Sequence, residues 1–367
     1  MTKNKKPLST LSVRLVVTSL FVIGGVVSTI MAESRALTNL SAASRLVTKT
    51  ERTTTSRAVR SSAASPIPSI LELVGNTDNY TCPEGLVVVK DSIDPSFYEP
   101  SERKIPKVIH LTSKTRCMTQ AFSDNVDKWR LPGHSVFIHD DDAVDMLLNR
   151  WWPEFPQLHD TLKCMLPGAS MADLWRYLLL WVFGGVYTDI DNAPGPWFWN
   201  ETGSAITNET DALFEQEHGG FPSQYFFAAS PHHPVMFLAV YDTMHRVMDV
   251  ESVQRQYVPF VTGPGAIKKA FIHFAGGKGY PDAGLYHGSM TKNRSVTVVG
   301  SRKIAGSGAY VRRATRSVQK GAGYNEMNLT HWSKVNTTEK PDHWCITVLG
   351  DIQEENQMEN FKRHFRV

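Results

Sequence analysis

The chain has 367 residues, 41% hydrophobic and 10% aromatic, with four cysteines and a formal net charge of +3. That composition excludes an intrinsically disordered chain and a disulfide-stapled miniprotein, and it allows one large domain or two ordinary ones. Residues 1–60 hold ten Lys or Arg against Glu33 and Glu51, whereas the remainder carries 29 basic and 34 acidic residues. A nucleic-acid-binding domain carries its basic surplus on the folded body. Here the body is mildly acidic, which argues against a nucleic-acid partner.

Leu15 to Ala32 contains no charged residue. As a helix it spans about 27 Å, close to a thin bilayer core. Lys3, Lys5, Lys6 and Arg14 precede it, so the positive-inside rule predicts a cytosolic tail over 1–14, a single transmembrane signal anchor over 15–32 and a luminal body. The alternative is a cleavable signal peptide, for which Ile30-Met31-Ala32 is a poor cleavage site. The short span suits an early secretory membrane such as the Golgi. Residues 33–69 contain 14 Ser or Thr and end near Pro66-Ile67-Pro68. Such a segment buries too little apolar surface to offset its ordering entropy, so a stem is expected over 33–100, Ser/Thr-rich in its first half. Seven sequons, at Asn39, Asn79, Asn200, Asn208, Asn293, Asn328 and Asn336, agree with a luminal body. There the cysteines can pair, as Cys117 with Cys164 or Cys82 with Cys345. Cys82, Cys117, Cys164 and Cys345 include no C-x-x-C pair and are too scattered for a zinc framework.

The body, expected over 101–350 with a C-terminal tail over 351–367, reads as α/β with a Rossmann-like, mostly parallel central sheet. Ile105 to Leu111 is a first buried strand, Ala121 to Trp129 a helix, and His134 to His139 a second strand. Asp140-Asp141-Asp142 then form a loop and N-cap before a helix over Ala143 to Trp152. Ligands of such sheets bind beyond the carboxyl ends of the strands.

The densest signal runs from Ser170 to Asp191. Ser170 is a natural N-cap and Gly184 a natural stop, and the helix between them is apolar nearly all round, hence buried. Asp173 and Arg176, at i and i+3, interrupt it on one face. A buried ion pair gains little over a hydrophobic replacement, so this pair points to ligand contact, with a structural bridge as the alternative. Val186-Tyr187-Thr188 then forms a short strand ending in Asp189 and Asp191. Two carboxylates at i and i+2 sit about 7 Å apart in a regular strand. They converge on one hard cation only if the chain turns after Ile190, leaving coordination positions open for phosphate oxygens.

The stretch Ala172–Asp191 (ADLWRYLLLWVFGGVYTDID) resembles the signature of the family 32 glycosyltransferases, whose sugar-binding region contains a DXD motif. Ile105-Pro106-Lys107-Val108-Ile109-His110 resembles that family's first strand, although Leu111-Thr112-Ser113 stands where the family has Gln-Thr-Trp. Phe137 to Asp141, Thr262-Gly263-Pro264 and His331-Trp332 resemble later segments. The resemblance implies a type A glycosyltransferase fold and a retaining, Mn²⁺-dependent hexosyl transfer from a nucleotide sugar to a glycan or glycolipid. It implies that Asp189 and Asp191 are catalytic and, with His331, handle the metal and diphosphate. Asp173, Arg176, Tyr187 and His110 would line the donor-sugar and nucleotide pocket. Asp173 accepts and Arg176 donates hydrogen bonds, so together they offer both halves of sugar recognition. The single-anchor layout favours GDP-mannose, with UDP-galactose as the alternative donor and a non-catalytic carbohydrate-binding protein of the same fold as the alternative class.

Three further motifs weigh less. Thr262-Gly263-Pro264-Gly265 reads as a tight turn before a helix over Ala266–Phe274, with a backbone role in binding as a second reading. His232-His233 point to opposite faces in a strand and do not read as a zinc pair. Trp197-Phe198-Trp199 reads as core or cleft wall.

Overall fold

In chain order the computed structural model places α1 (Ile70–Val74), β1 (Val87–Val88), β2 (Val108–Thr112), β3 (Cys117–Met118), α2 (Gln120–Asp127), β4 (Ser135–His139), α3 (Asp141–Leu148), α4 (Leu158–Leu162) and α5 (Ala169–Phe183). There follow β5 (Gly185–Thr188), β6 (Asn192–Pro194), β7 (Ala212–Gln216), β8 (Pro222–Ala229), α6 (Pro234–Met248), α7 (Val258–Val261) and α8 (Pro264–Ala275). The last elements are β9 (Gly284–His287), β10 (Ser295–Val299), β11 (Val311–Arg313) and α9 (Glu354–Phe365). The structure describes residues 69–75, 77, 80–165, 168–195, 198, 206–216, 221–248, 258–277, 282–300, 311–313 and 354–367, all within one unit, Ser62–Val367. The expected anchor at 15–32, the Ser/Thr-rich part of the stem and His331 lie outside the described residues. Among the described residues no helix is long and apolar enough to cross a membrane.

A seven-stranded sheet runs in the order β4-β2-β5-β8-β7-β10-β9. The β2–β4, β2–β5 and β7–β10 pairs are parallel, while β8 is antiparallel to both of its neighbours and β9 to β10. The sheet is therefore mixed, with β4, β2, β5, β7 and β10 pointing one way. Their carboxyl ends share an edge, and it is on this edge that Asp189 lies.

Side-chain alternation sorts the core. Tyr187, Phe214 and Phe227 pack under α5, α6 and α8 on one face. Ile109, Leu111, Val186 and Leu213 pack with Phe122 and Val126 of α2 on the other. Helix α5 is buried almost throughout because leucines and aromatics occupy every face of its later turns. It starts one residue before the expected cap: Gly168 is the N-cap, with no side-chain bond, and Ser170 lies in the first turn.

The helix ends at Gly184 for a steric reason. Gly184 has φ +65°, and a methyl there would lie 2.6 Å from Pro231 Cδ; at Gly185, φ +99°, it would lie 2.7 Å from the Val108 carbonyl oxygen. Only glycine combines those dihedrals with that closeness, and the pair carries the chain from α5 directly into the central strand β5.

Both ends of the body extend past the expected boundaries. Ile70, Leu73 and Val74 of α1 and Val89 are buried in the core, so residues 69–100 include body as well as stem. A disulfide joins Cys82 to Cys117. This corrects the pairings of Cys117 with Cys164 and of Cys82 with Cys345. Spacing along the chain could not show that β1 returns antiparallel to β3 beside Cys117. At the other end, the expected tail forms α9, whose Phe361 is 3% exposed and packs 5.5 Å from Phe237.

Candidate donor-sugar and diphosphate site

The site begins with strand alternation at the end of β5. Tyr187 and Asp189 point to the α5 side, and the Tyr187 hydroxyl donates to Asp189 Oδ1 at 2.9 Å. The strand stops at Thr188, and the Asn192 N–H donates to the Asp189 carbonyl at 3.0 Å. That bond closes a β-turn over Asp189–Asn192, so the chain does turn where convergence of the carboxylates requires it. Ile190 is 5% exposed in the α2-side core, whereas Asp189 and Asp191 are half-exposed. The middle residue of the triplet anchors the turn and leaves its two carboxylates at the surface.

Arg176 comes from α5 to meet this strand end. Its Nη2 lies 3.1 Å from Asp173 Oδ1 and its Nη1 3.4 Å from Asp189 Oδ1. Nη1 also donates to the Gln224 carbonyl at 3.1 Å, Nε to the Ala172 carbonyl at 3.2 Å, and the guanidinium sits 4.4 Å from the Tyr187 ring centroid. The planar fork thus serves two carboxylates, two carbonyls and an aromatic face. Asp173 and Arg176 form a bridge, as the bland alternative required, yet the bridge extends to Asp189 and so belongs to the strand-end site.

Asp173 is 4% exposed, and its Oδ2 accepts from the Thr262 hydroxyl at 2.7 Å. Burial pushes its pKa up to about 6, against the lowering by Arg176 and Thr262. Burial works against the charge of Arg176, but Tyr187, Asp173 and Asp189 around it hold its pKa above the usual value. The floor beneath this pair is polar. The Tyr177 hydroxyl donates to the Thr262 carbonyl at 2.9 Å, and Gln224 Nε2 donates to the Tyr177 oxygen at 2.8 Å. The Thr262 turn is therefore part of the site, through its side chain as well as its backbone.

His110 is placed elsewhere. It has no exposed surface, its Nε2 lies 3.0 Å from the Gly184 carbonyl and its Nδ1 3.1 Å from His139 Nε2. A carbonyl only accepts, so Nε2 carries the proton, Nδ1 accepts, and His139 donates. Both ring nitrogens are committed to holding the Gly184 turn beneath β5 rather than offered to a nucleotide. Burial lowers the His110 pKa from 6.5 to about 4. A depressed folded pKa gives stability that is whole above pH 6.5 and is lost as pH falls through about 4. In a histidine-labelled NMR titration the His110 resonance, assigned with His110→Gln, is expected to stay that of neutral imidazole down to about pH 4.5. A midpoint near 6.5 would contradict the sealed geometry.

The other histidine motif has two separate fates. Val235 N–H donates to His233 Nδ1 at 3.1 Å, and His233 Nε2 lies 3.3 Å from Asp211 and 3.1 Å from the Ser295 carbonyl. His232 packs 4.9 Å from Trp181. Phe198 is buried against Trp129 at 5.3 Å, which makes it core.

Among the described residues no group of three or more His, Cys, Asp or Glu side chains is gathered to cage a metal. The half-exposed pair Asp189 and Asp191 fits a different arrangement, in which one or two carboxylates hold a hard cation and the substrate's phosphates complete its shell. Sequence reasoning missed Tyr177, Gln224 and Asn125. Asn125 carries the one signal that could have been read: a polar residue on a helix face otherwise set by Phe122, Val126 and Trp129.

Part of the chain is similar to known proteins. Residues 86–204 match the family described as glycosyltransferase sugar-binding region containing DXD motif, a span that includes the Asp189–Asp191 turn. Mannosyl phosphorylinositol ceramide synthase CSH1 of Saccharomyces cerevisiae is 28% identical over 104 residues, covering 28% of this chain and 27% of that protein. The initiation-specific alpha-1,6-mannosyltransferase of Candida albicans is 26% identical over 109 residues, 28% of each chain. The match thus spans little more than a quarter of the length of these relatives. Among solved structures, PaToxG Glycosyltransferase is similar with a TM-score of 0.35 and 14% identity, over 71% of this chain and 86% of that one.

Proposed function

We propose that the chain is a retaining, metal-dependent hexosyltransferase of type A fold that moves mannose from GDP-mannose to a glycan acceptor. The observation that carries this reading is the Arg176 fork, which ties Asp173 on α5 to Asp189 at the carboxyl edge of the sheet. A purely structural bridge has no reason to brace a half-exposed carboxylate turn. The two named mannosyltransferase relatives favour mannose over galactose. The apolar, uncharged segment 15–32 supports a single-pass type II arrangement in the Golgi membrane with this body luminal.

In this reading the acceptor hydroxyl oxygen bonds to the anomeric carbon on the face that the diphosphate leaves, and its proton passes to the departing diphosphate oxygen. The bond from that carbon to the diphosphate breaks, and its electron pair leaves with the nucleoside diphosphate. Asp189 and Asp191 would hold the divalent cation, which when bound withdraws charge from the leaving diphosphate. Asp173, ionised above about pH 6, accepts from sugar hydroxyls while Arg176 fixes its orientation. Tyr187 fixes Asp189 in turn. Thr262, Gln224 and Tyr177 keep the pair rigid, so that the geometry is set before the donor arrives.

Calorimetry on the full-length chain tests the clamp. Titration with GDP and with UDP is expected to show binding of one nucleotide in the presence of Mn²⁺ and none after chelation. Absence of Mn²⁺-dependent binding for both nucleotides would overturn the proposal.

A further inference from the structure

We infer that Asn125, far from the D-x-D triplet in sequence, is a positioning residue that sets the metal and nucleotide affinity of the Asp189–Asn192 turn. The inference rests on the reading of Asp189 and Asp191 given above. Asn125 has no exposed surface. Its Nδ2 donates to the Ile190 carbonyl at 2.9 Å and to the Asn192 carbonyl at 2.5 Å, while its Oδ1 accepts from Lys128 Nζ at 3.2 Å. Those partners orient the amide, because two carbonyls demand the nitrogen and an ammonium demands the oxygen. Trp129 Nε1 adds a second donor to the Asn192 carbonyl at 3.0 Å. On the far side, Asn192 Nδ2 and Asp189 N–H both donate to the Tyr225 carbonyl at 2.9 Å.

The turn is therefore pinned from α2 and Trp129 on one side and from β8 on the other, by bonds that leave its carboxylate side chains alone. Its two negative side chains repel one another, and a turn released from the pins relaxes until they separate. Binding a cation would then require the turn to be ordered again, at a cost in affinity. Outer supports of metal-binding side chains characteristically change affinity by about 10–100-fold when removed. Asn125 has no exposed surface and reaches the turn only at its backbone carbonyls, so its effect is exerted through the turn.

The test uses the full-length chain with Asn125→Ala, Trp129→Phe and, as control, Val126→Ala, which removes buried volume from the same helix. The Mn²⁺ concentration for half-maximal GDP or UDP binding is measured by calorimetry. It is expected to rise by about tenfold or more in Asn125→Ala, by a few-fold in Trp129→Phe and by less than about twofold in Val126→Ala. Amide hydrogen exchange read over residues 189–192 is expected to speed up in Asn125→Ala and to stay unchanged in Val126→Ala. If Asn125→Ala shifts thermal stability alone, as the control does, and leaves both readouts unmoved, the inference is overturned. If Asn125→Ala does not fold, Trp129→Phe decides, since it keeps the ring and removes one donor. If the unsubstituted chain itself binds no nucleotide with Mn²⁺, the proposed function fails. The exchange measurement then still decides whether Asn125 pins the turn.

Discussion

Asp191→Ala is expected to lower metal-dependent glycosyl transfer by about three orders of magnitude or more, which corresponds to roughly 4 kcal/mol of lost transition-state stabilisation. The leaving diphosphate gathers negative charge as its bond to the sugar breaks, and the triplet is where a countercharge would be held. The same substitution should leave the fold nearly intact, because Asp191 is half-exposed and such positions usually shift stability by less than about 1 kcal/mol. Asp189→Asn should behave differently. Asp189 Oδ1 takes both Arg176 and the Tyr187 hydroxyl, so that variant is expected to lose activity and melting temperature together. Initial rates and thermal melts of the two variants, measured side by side, check this division. Equal melting losses in both would show that the two carboxylates are not held as described.

Arg176→Met is expected to destabilise the protein by about 3–5 kcal/mol, the usual cost of removing one partner from a buried charge pair. The guanidinium leaves behind the Asp173 carboxylate, 4% exposed, and the Gln224 carbonyl. Arg176 is what lowers the Asp173 pKa against burial, so its loss pushes that pKa higher than about 6. The sign of the pH dependence follows. A folded pKa raised above the unfolded 3.8 favours folding at low pH and opposes it as pH rises through the folded value. Urea unfolding should thus show a smaller penalty for Arg176→Met at pH 5 than at pH 8. Arg176→Lys should recover little, because one ammonium cannot reproduce the planar fork shared by two carboxylates and two carbonyls. A penalty independent of pH would mean that Asp173 is not the group left uncompensated.

What could be read along the chain was whatever is local. The run from Leu174 to Val182, stopped by Gly184 and Gly185, announces a buried helix feeding a strand, and the structure has both. A turn after Ile190 was the condition for the two carboxylates to converge, and the chain turns over Asp189–Asn192. His110 illustrates where that reading stopped. It sits in β2, between β4 and β5, and its side chain is taken up by His139 and the Gly184 carbonyl rather than facing an edge. Strand order, which decides this, depends on pairings between segments far apart. The Thr262 and Gln224 contacts span 89 and 47 residues, and Asn125 reaches across 65 and 67. Locally Asn125 shows only as a polar residue on an apolar helix face, and no local pattern shows what these residues reach. The Cys82–Cys117 pairing was hidden for the same reason, since it depends on β1 folding back beside β3.

The donor panel tests the central claim most directly. The full-length chain is incubated with Mn²⁺, a mixture of oligomannose and lactosyl acceptors, and each of GDP-mannose, UDP-galactose, UDP-glucose and UDP-N-acetylglucosamine in turn. Free nucleoside diphosphate is the readout. The expected result is release from GDP-mannose alone, abolished by chelation. Release from UDP-galactose alone would keep the clamp and change the sugar, whereas no metal-dependent release from any of the four would contradict the assignment of this site to glycosyl transfer.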